Sequence, residues 1–180
     1  MAWRMRSEGL SPLCTTKGKR AGTGGRMSNF MVALSPRRGV VFCKQYYNGD
    51  NFSAMVRKDF PDVLKKTAHI KGNMFLQDGY PVQNSAKAKQ AFKDVDAEVF
   101  PISPRSLDIN PIENIFNLVA RQLSEDALKN RITKENFEEF SARVKSTIEN
   151  FDKRMVDRII KSMPNRMLKI VKRRCGRLRY

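Results

Sequence analysis

Two acids with 34 residues between them, one closing an apolar run and the other opening a helix, constrain this chain more than any other feature. Met74-Phe75-Leu76 stops at Gln77-Asp78-Gly79. Further on, Asn110-Pro111-Ile112-Glu113 has the grammar of a helix start, with Asn at the N-cap, Pro at N1 and an acid at N3. Between them lie a short helix from Ser85 to about 94 and a brief strand at Glu98-Val99-Phe100. A buried strand, a crossover and a following helix bring a strand end and a helix start to one edge of a sheet. Ligands of open α/β sheets gather at that edge. Asp78 and Glu113 could there share Mg²⁺ or Mn²⁺, hard cations that take oxygen ligands and keep waters or phosphate oxygens in the remaining positions. Two plainer roles stay open: Glu113 as the acid of a capping box and Asp78 as a turn former before Gly79.

The rest of the chain supplies the layers around that edge. Residues 27–34 and Val40-Val41-Phe42-Cys43 flank Ser35-Pro36-Arg37-Arg38-Gly39 and read as a β-hairpin. Asn51 is a candidate cap for a helix over 52–67, with Phe52, Met55, Val56, Phe60, Val63 and Leu64 at three- and four-residue intervals and Pro61 expected to kink or divide it. The Ser85 helix turns Ala86, Ala88, Ala91 and Phe92 inward, and the helix from Pro111 carries Ile112, Ile115, Phe116, Val119 and Leu123 as its stripe. After Leu128 the pattern is helical. Phe137, Phe140, Val144 and Ile148 share one face, Met155, Val156, Ile159 and Ile160 another, and Met167, Leu168, Ile170 and Val171 form a last amphipathic piece after Pro164. The order β-β-α-β-α-β-α plus helices is an α/β pattern.

Charge bears on partners. Of the net +17, residues 1–49 contribute +8 and residues 161–180 another +8, leaving +1 for the middle. Two basic ends on a near-neutral centre suit a polyanion, most simply nucleic acid. Lys17, Lys19, Arg20 and Arg26 lie in a glycine-rich stretch without periodicity, and Lys172-Arg173-Arg174 form the second run. Three dispersed cysteines and a single histidine offer neither a zinc site nor a disulfide framework. No apolar run reaches membrane-spanning length, so no membrane partner is expected.

The residues Phe75-Leu76-Gln77-Asp78-Gly79-Tyr80-Pro81, followed by Ser103-Pro104-Arg105-Ser106-Leu107-Asp108-Ile109-Asn110-Pro111-Ile112-Glu113-Asn114, resemble the catalytic half of a Tc/mariner-superfamily transposase. That family's pattern is roughly QQDNAPxH and then SPDLNPIEN, with the same gap between its last two acids. The resemblance spans about residues 20–180, and Ser162-Met163-Pro164-Asn165-Arg166 is similar to the family's SMPRR segment. It implies a ribonuclease-H-like fold in which two aspartates and a glutamate bind Mg²⁺ to cut and join DNA, with Asp78 as the second Asp and Glu113 as the third acid.

There are departures. Counting back to the family's first Asp lands before Met1, and Asp50, Asp59 and Asp62 fall in a loop and a helix rather than on a first strand. Val82-Gln83 stand where the family has its His, Leu107 replaces a Pro, and the family's helix-turn-helix region has no counterpart. The resemblance therefore implies an N-terminally truncated DDE domain. Its expected fold is α/β, a ribonuclease-H-like mixed sheet flanked by helices, with the first strand missing and a C-terminal helical extension. The expected segments are a basic stretch over 1–26, a partial catalytic domain over 27–128 and C-terminal helices with a basic tail over 129–180. Residues 1–13 are too polar and too interrupted by Gly and Pro to replace a first strand well, so an unpaired strand edge is expected.

The expected function is DNA binding without full strand transfer, in the nucleus. Two other readings stand beside it: a working Mg²⁺-dependent endonuclease or transposase that receives an acid from elsewhere, and a non-enzymatic interaction protein that forms a homodimer through its C-terminal helices.

Overall fold

The computed structural model describes residues 28–67, 74–77, 80–102 and 109–172. Strands β1 (Asn29–Ser35) and β2 (Gly39–Tyr46) pair antiparallel, and α1 (Gly49–Thr67) follows. Strand β3 (Met74–Gln77), α2 (Ala86–Asp94) and β4 (Glu98–Pro101) come next, with β3 and β4 parallel. Four helices complete the order: α3 (Pro111–Lys129), α4 (Phe137–Glu149), α5 (Lys153–Lys161) and α6 (Met163–Lys172). The expected order of elements is the observed one. Its antiparallel and parallel pairings are both present, as two separate two-stranded ladders among the described residues.

The hairpin divides two cores because strand side chains alternate. Met31, Phe42 and Tyr46 face one side and pack with α1 and α2. Phe30, Val32, Leu34, Val40 and Cys43 face the other and pack with α3, α4 and α5. Val40 and Cys43 are three apart, an odd step that should put them on opposite faces. A bulge reconciles them: Ala33 pairs with Phe42 and Leu34 with Val40, so Val41 is the extra residue. The hairpin turn needs left-handed backbone at Arg37 (φ 63°) and Gly39 (φ 80°). At Gly39 a Cβ would sit 3.2 Å from the Cβ of Lys153, so glycine also admits α5 to the sheet.

The first core is aromatic. Phe52 and Phe92 are 0 % and 2 % exposed. The Phe92 ring centroid lies 5.4 Å from that of Phe60 and 5.0 Å from that of Phe75, in inclined arrangements that favour ring edges over faces. These contacts fix β3 against α1 and α2.

The second core encloses Cys43. Burial pushes its thiol up to about 11 from 9.0, with repulsion from Glu149 adding to this and Lys145 opposing it. Below pH 9 the folded and unfolded chains both keep the proton. Between pH 9 and about 11 the unfolded chain releases it first, so the folded state loses stability as pH rises, by about 2–3 kcal/mol for a shift of this size. Chemical denaturation from pH 8 to 11 is expected to show this extra decline in the unaltered chain and its absence in Cys43→Ala.

Several local expectations are corrected. Asn51 is not the cap of α1: the helix starts at Gly49, and the Asn51 amide donates to Asn48 Oδ1 at 2.8 Å. Pro61 does not divide α1, which runs through it to Thr67. Ala86 is exposed, because α2 buries only Ala88, Ala91 and Phe92. Phe140 is 42 % exposed, with the Arg143 guanidinium over its ring at 5.7 Å. Arg143 faces inward instead. It donates from Nε and Nη2 to both Glu135 carboxylate oxygens at 2.7 Å, and from Nη1 to the Leu123 carbonyl at 3.1 Å, tying α4 to α3. The same hydrogen bonds hold the Glu135 carboxyl below the usual carboxylate range. Pro164 begins α6 rather than ending α5, in the first turn where its missing N–H costs nothing.

Candidate metal and nucleic-acid site

The end of β3 and the start of α3 meet at one cleft of about 340 Å³. Gln77, the residue before Asp78, lines it from β3, and Asn110, Pro111 and Ile112, the residues before Glu113, line it from α3. Local sequence explains both ends. Gln77 is the last residue of the ladder, paired with Pro101, and its carbonyl accepts from the Ile102 amide at 3.2 Å. Asn110 caps α3 by accepting from the Ile112 amide at 3.2 Å, and Pro111 fills the first helical position.

Glu113 is half-buried on the first turn of α3. Its neighbour Asn114 accepts a hydrogen bond from Arg166 Nη1 of α6. The two segments that carried the family resemblance, Asn110–Asn114 and Ser162–Arg166, are therefore in contact across 52 positions of sequence. Nothing in their one-dimensional pattern announced that link.

Asp78 lies outside the described residues, as do Lys17, Lys19, Arg20, Arg26, Arg173 and Arg174. Lys172 is exposed at the end of α6. Asp50, Asp59 and Asp62 belong to α1 and pair with Lys87, Lys44 and Lys65 at 2.6, 2.6 and 3.7 Å. Among the described residues no three His, Cys, Asp or Glu side chains gather into a metal-holding group. Of the two sequence-derived ligand candidates the structure describes Glu113, which is not among the residues that line the cleft.

A second basic feature escaped the sequence reading. Arg154, Arg158 and Lys161 recur at i, i+4 and i+7 on α5 and, with Asp157 and Ser162, line a shallow open depression. The spacing was visible, but the apolar residues of the same helix drew the eye to its buried face. Asp157, the one acid there, accepts from the Arg37 backbone amide. The candidate nucleic-acid surface among the described residues is thus α5 together with Lys172.

The fold defined by these elements is the ribonuclease-H-like α/β plan. The chain is similar to the catalytic domain of Mos1 transposase solved with raltegravir and Mn: TM-score 0.65 at 14 % identity, over 84 % of this chain and 83 % of that one. It is also similar to the crystal structure of the catalytic domain of Mos1 mariner transposase, with TM-score 0.61 at 15 % identity over 84 % and 82 %. Against the Mos1 mariner paired-end complex with Mn, the TM-score is 0.68 at 15 % identity, over 99 % of this chain and 52 % of that one. No protein-family model matches the chain, and no curated protein matches it.

Proposed function

We propose that this chain is a DDE-type domain of Tc/mariner transposase descent that binds DNA through a basic surface and holds a divalent metal weakly between Asp78 and Glu113. The observation that carries the reading is the convergence of Gln77 with Asn110–Ile112 on one cleft. The Asn114–Arg166 link adds to it by joining two of the family-like segments. The fold shared with Mos1 transposase structures, two of them solved with Mn, supports the same descent.

Bound there, Mg²⁺ or Mn²⁺ would supply Lewis-acid polarisation of a phosphodiester oxygen. The chain's own residues do the positioning. Asn110 and Pro111 start α3 at the cleft, so Glu113 stands on a first turn where the helix dipole favours negative charge. The contact from Arg166 steadies that turn. DNA phosphates are attracted by Arg154, Arg158 and Lys161, and by Lys172 with the basic runs at 17–26 and 172–174. Those phosphate contacts carry no base readout, so sequence preference is expected to be poor. The Lys172-Arg173-Arg174 run also suits nuclear import.

Two carboxylates fall short of the three or four that neutralise two catalytic ions, so the chain acting alone is expected to leave strands unjoined. Supercoiled plasmid incubated with Mg²⁺ or Mn²⁺ should show no nicking above that of Asp78→Ala and Glu113→Ala. Nicking by the unaltered chain that disappears in both variants would instead establish a working nuclease.

One observation favours a second reading, self-association. On α6, Met167, Leu168 and Val171 are 52, 58 and 73 % exposed, and the helix buries no side chain. A concentration-dependent sedimentation coefficient abolished by Leu168→Glu would support it.

A further inference from the structure

The hairpin turn and α5 are fastened together, and the fastening lies inside a basic surface. Pro36, Arg37 and Arg38 form the exposed turn between β1 and β2. The Arg37 amide donates to the Asp157 carboxylate, and a Cβ on Gly39 would sit 3.2 Å from that of Lys153, so the turn rests against α5. Asp157 lies among Arg154, Arg158 and Lys161 in the shallow depression of that helix. Arg37 and Arg38 are thereby brought to the edge of the same depression. Basic residues from two elements far apart in sequence thus surround one acid, whose carboxylate is taken up by a backbone amide.

Three observations separate this surface from an ordinary solvated one. Elsewhere exposed cations are paired: Lys44 with Asp59, Arg57 with Asp94, Lys87 with Asp50 and Arg121 with Glu125. Among the described residues, none of Arg37, Arg38, Arg154, Arg158 and Lys161 has its side chain in an ion pair. The second observation is the backbone at Arg37, whose φ of 63° lies in the left-handed region that few residues other than glycine adopt. The bond to Asp157 holds an arginine there, so the placement of the turn depends on that carboxylate. The third is length. From Arg154 to Lys161 the helix rises about 10 Å, close to three phosphate steps of one DNA strand at about 3.4 Å each. A lone phosphate would use only one end of such a row.

We propose, resting on the DNA-binding function above, that the Arg37-Arg38 turn and the basic face of α5 form one composite surface for the phosphates of a DNA strand, and that Asp157 is its positioning residue. Asp157 touches no phosphate. Its charge opposes DNA, yet the acceptor oxygen it offers to the Arg37 amide sets two further arginines beside the α5 row. A strand lying along α5 is led from the hairpin turn toward α6, where Arg166 donates to Asn114 beside Glu113.

Replacing Asp157 by asparagine and by alanine separates its charge from its hydrogen bond. Both variants remove the charge, but asparagine keeps an oxygen that can accept from the Arg37 amide. A DNA duplex is titrated by anisotropy at four salt concentrations with the full chain and each variant, and urea midpoints establish that each is folded. Arg37→Ala combined with Arg38→Ala should lower the slope of log affinity against log salt by about 2. Asp157→Ala should lower it as much, whereas Asp157→Asn should keep the slope of the unaltered chain and bind at least as tightly. Once both arginines are removed, Asp157→Ala and Asp157→Asn should bind alike. Equal slopes for Asp157→Ala and Asp157→Asn in the otherwise unaltered chain would overturn the positioning role. An unchanged slope in the double arginine variant would overturn the composite surface. Both failures leave DNA binding itself standing, whereas a chain that binds no duplex at any salt would overturn that function and this surface with it. Poly-glutamate that displaces the duplex at a lower concentration than unlabelled duplex does would assign the surface to an acidic protein and overturn the DNA strand as its occupant.

Discussion

Phe92→Ala is expected to remove about 3–5 kcal/mol of stability, the range for a large aromatic deleted from a packed core. Phe92 is 2 % exposed and meets Phe52, Phe60 and Phe75, with ring centroids 6.1, 5.4 and 5.0 Å away. It joins α2 to α1 and to β3, so no single element can collapse into the space it leaves. Domains of this size have only about 5–15 kcal/mol in total, so the variant should be largely unfolded well below the wild-type urea midpoint. The loss reaches the candidate site as well. Phe75 stands two residues before Gln77 on a four-residue strand, and its inward packing is what holds that strand down. Phe140→Ala is the matched control. Although Phe140 belonged to the expected inward stripe of α4, it is 42 % exposed and should cost less than about 1 kcal/mol.

The second large effect is on DNA affinity. With +17 net charge concentrated at two ends and an additional basic face on α5, binding should release many counterions from the duplex. If six or more phosphates are neutralised, affinity falls about a thousandfold or more between roughly 50 and 200 mM salt. Arg154→Glu combined with Arg158→Glu should lower the slope of log affinity against log salt by about 2, close to one for each phosphate left without its arginine. On the proposed phosphate-only contact, the fall should be the same for unrelated duplexes. Anisotropy titrations at four salt concentrations measure both slope and sequence independence.

The alternation of β and α segments was legible because strand and helix periods differ so clearly here. Met31 against Phe30 and Val32, and Ile115 against Val119, follow directly from steps of two and four. The bulge at Val41 was not legible, since a skipped residue leaves no mark on composition. Phe140 misled because apolar spacing alone cannot see that Arg143 reaches inward to Glu135 and leaves the ring outside. Asn51 misled because Asn48 was an equally good cap three residues earlier. At the candidate site, the helix start at Asn110-Pro111 was plain from cap chemistry, and so was its place beside a strand end. The contact of Asn114 with Arg166 was invisible, because long-range pairing depends on how α6 lies against α3.

The central claim is that Asp78 and Glu113, on segments that converge at one cleft, hold a divalent ion together. Titrating Mn²⁺ into the chain and following the free-ion signal by electron paramagnetic resonance tests it directly. The account predicts one bound ion per chain, with affinity lowered at least about tenfold by Asp78→Asn and likewise by Glu113→Gln. Binding that is equally tight in the unaltered chain and in both variants would contradict it.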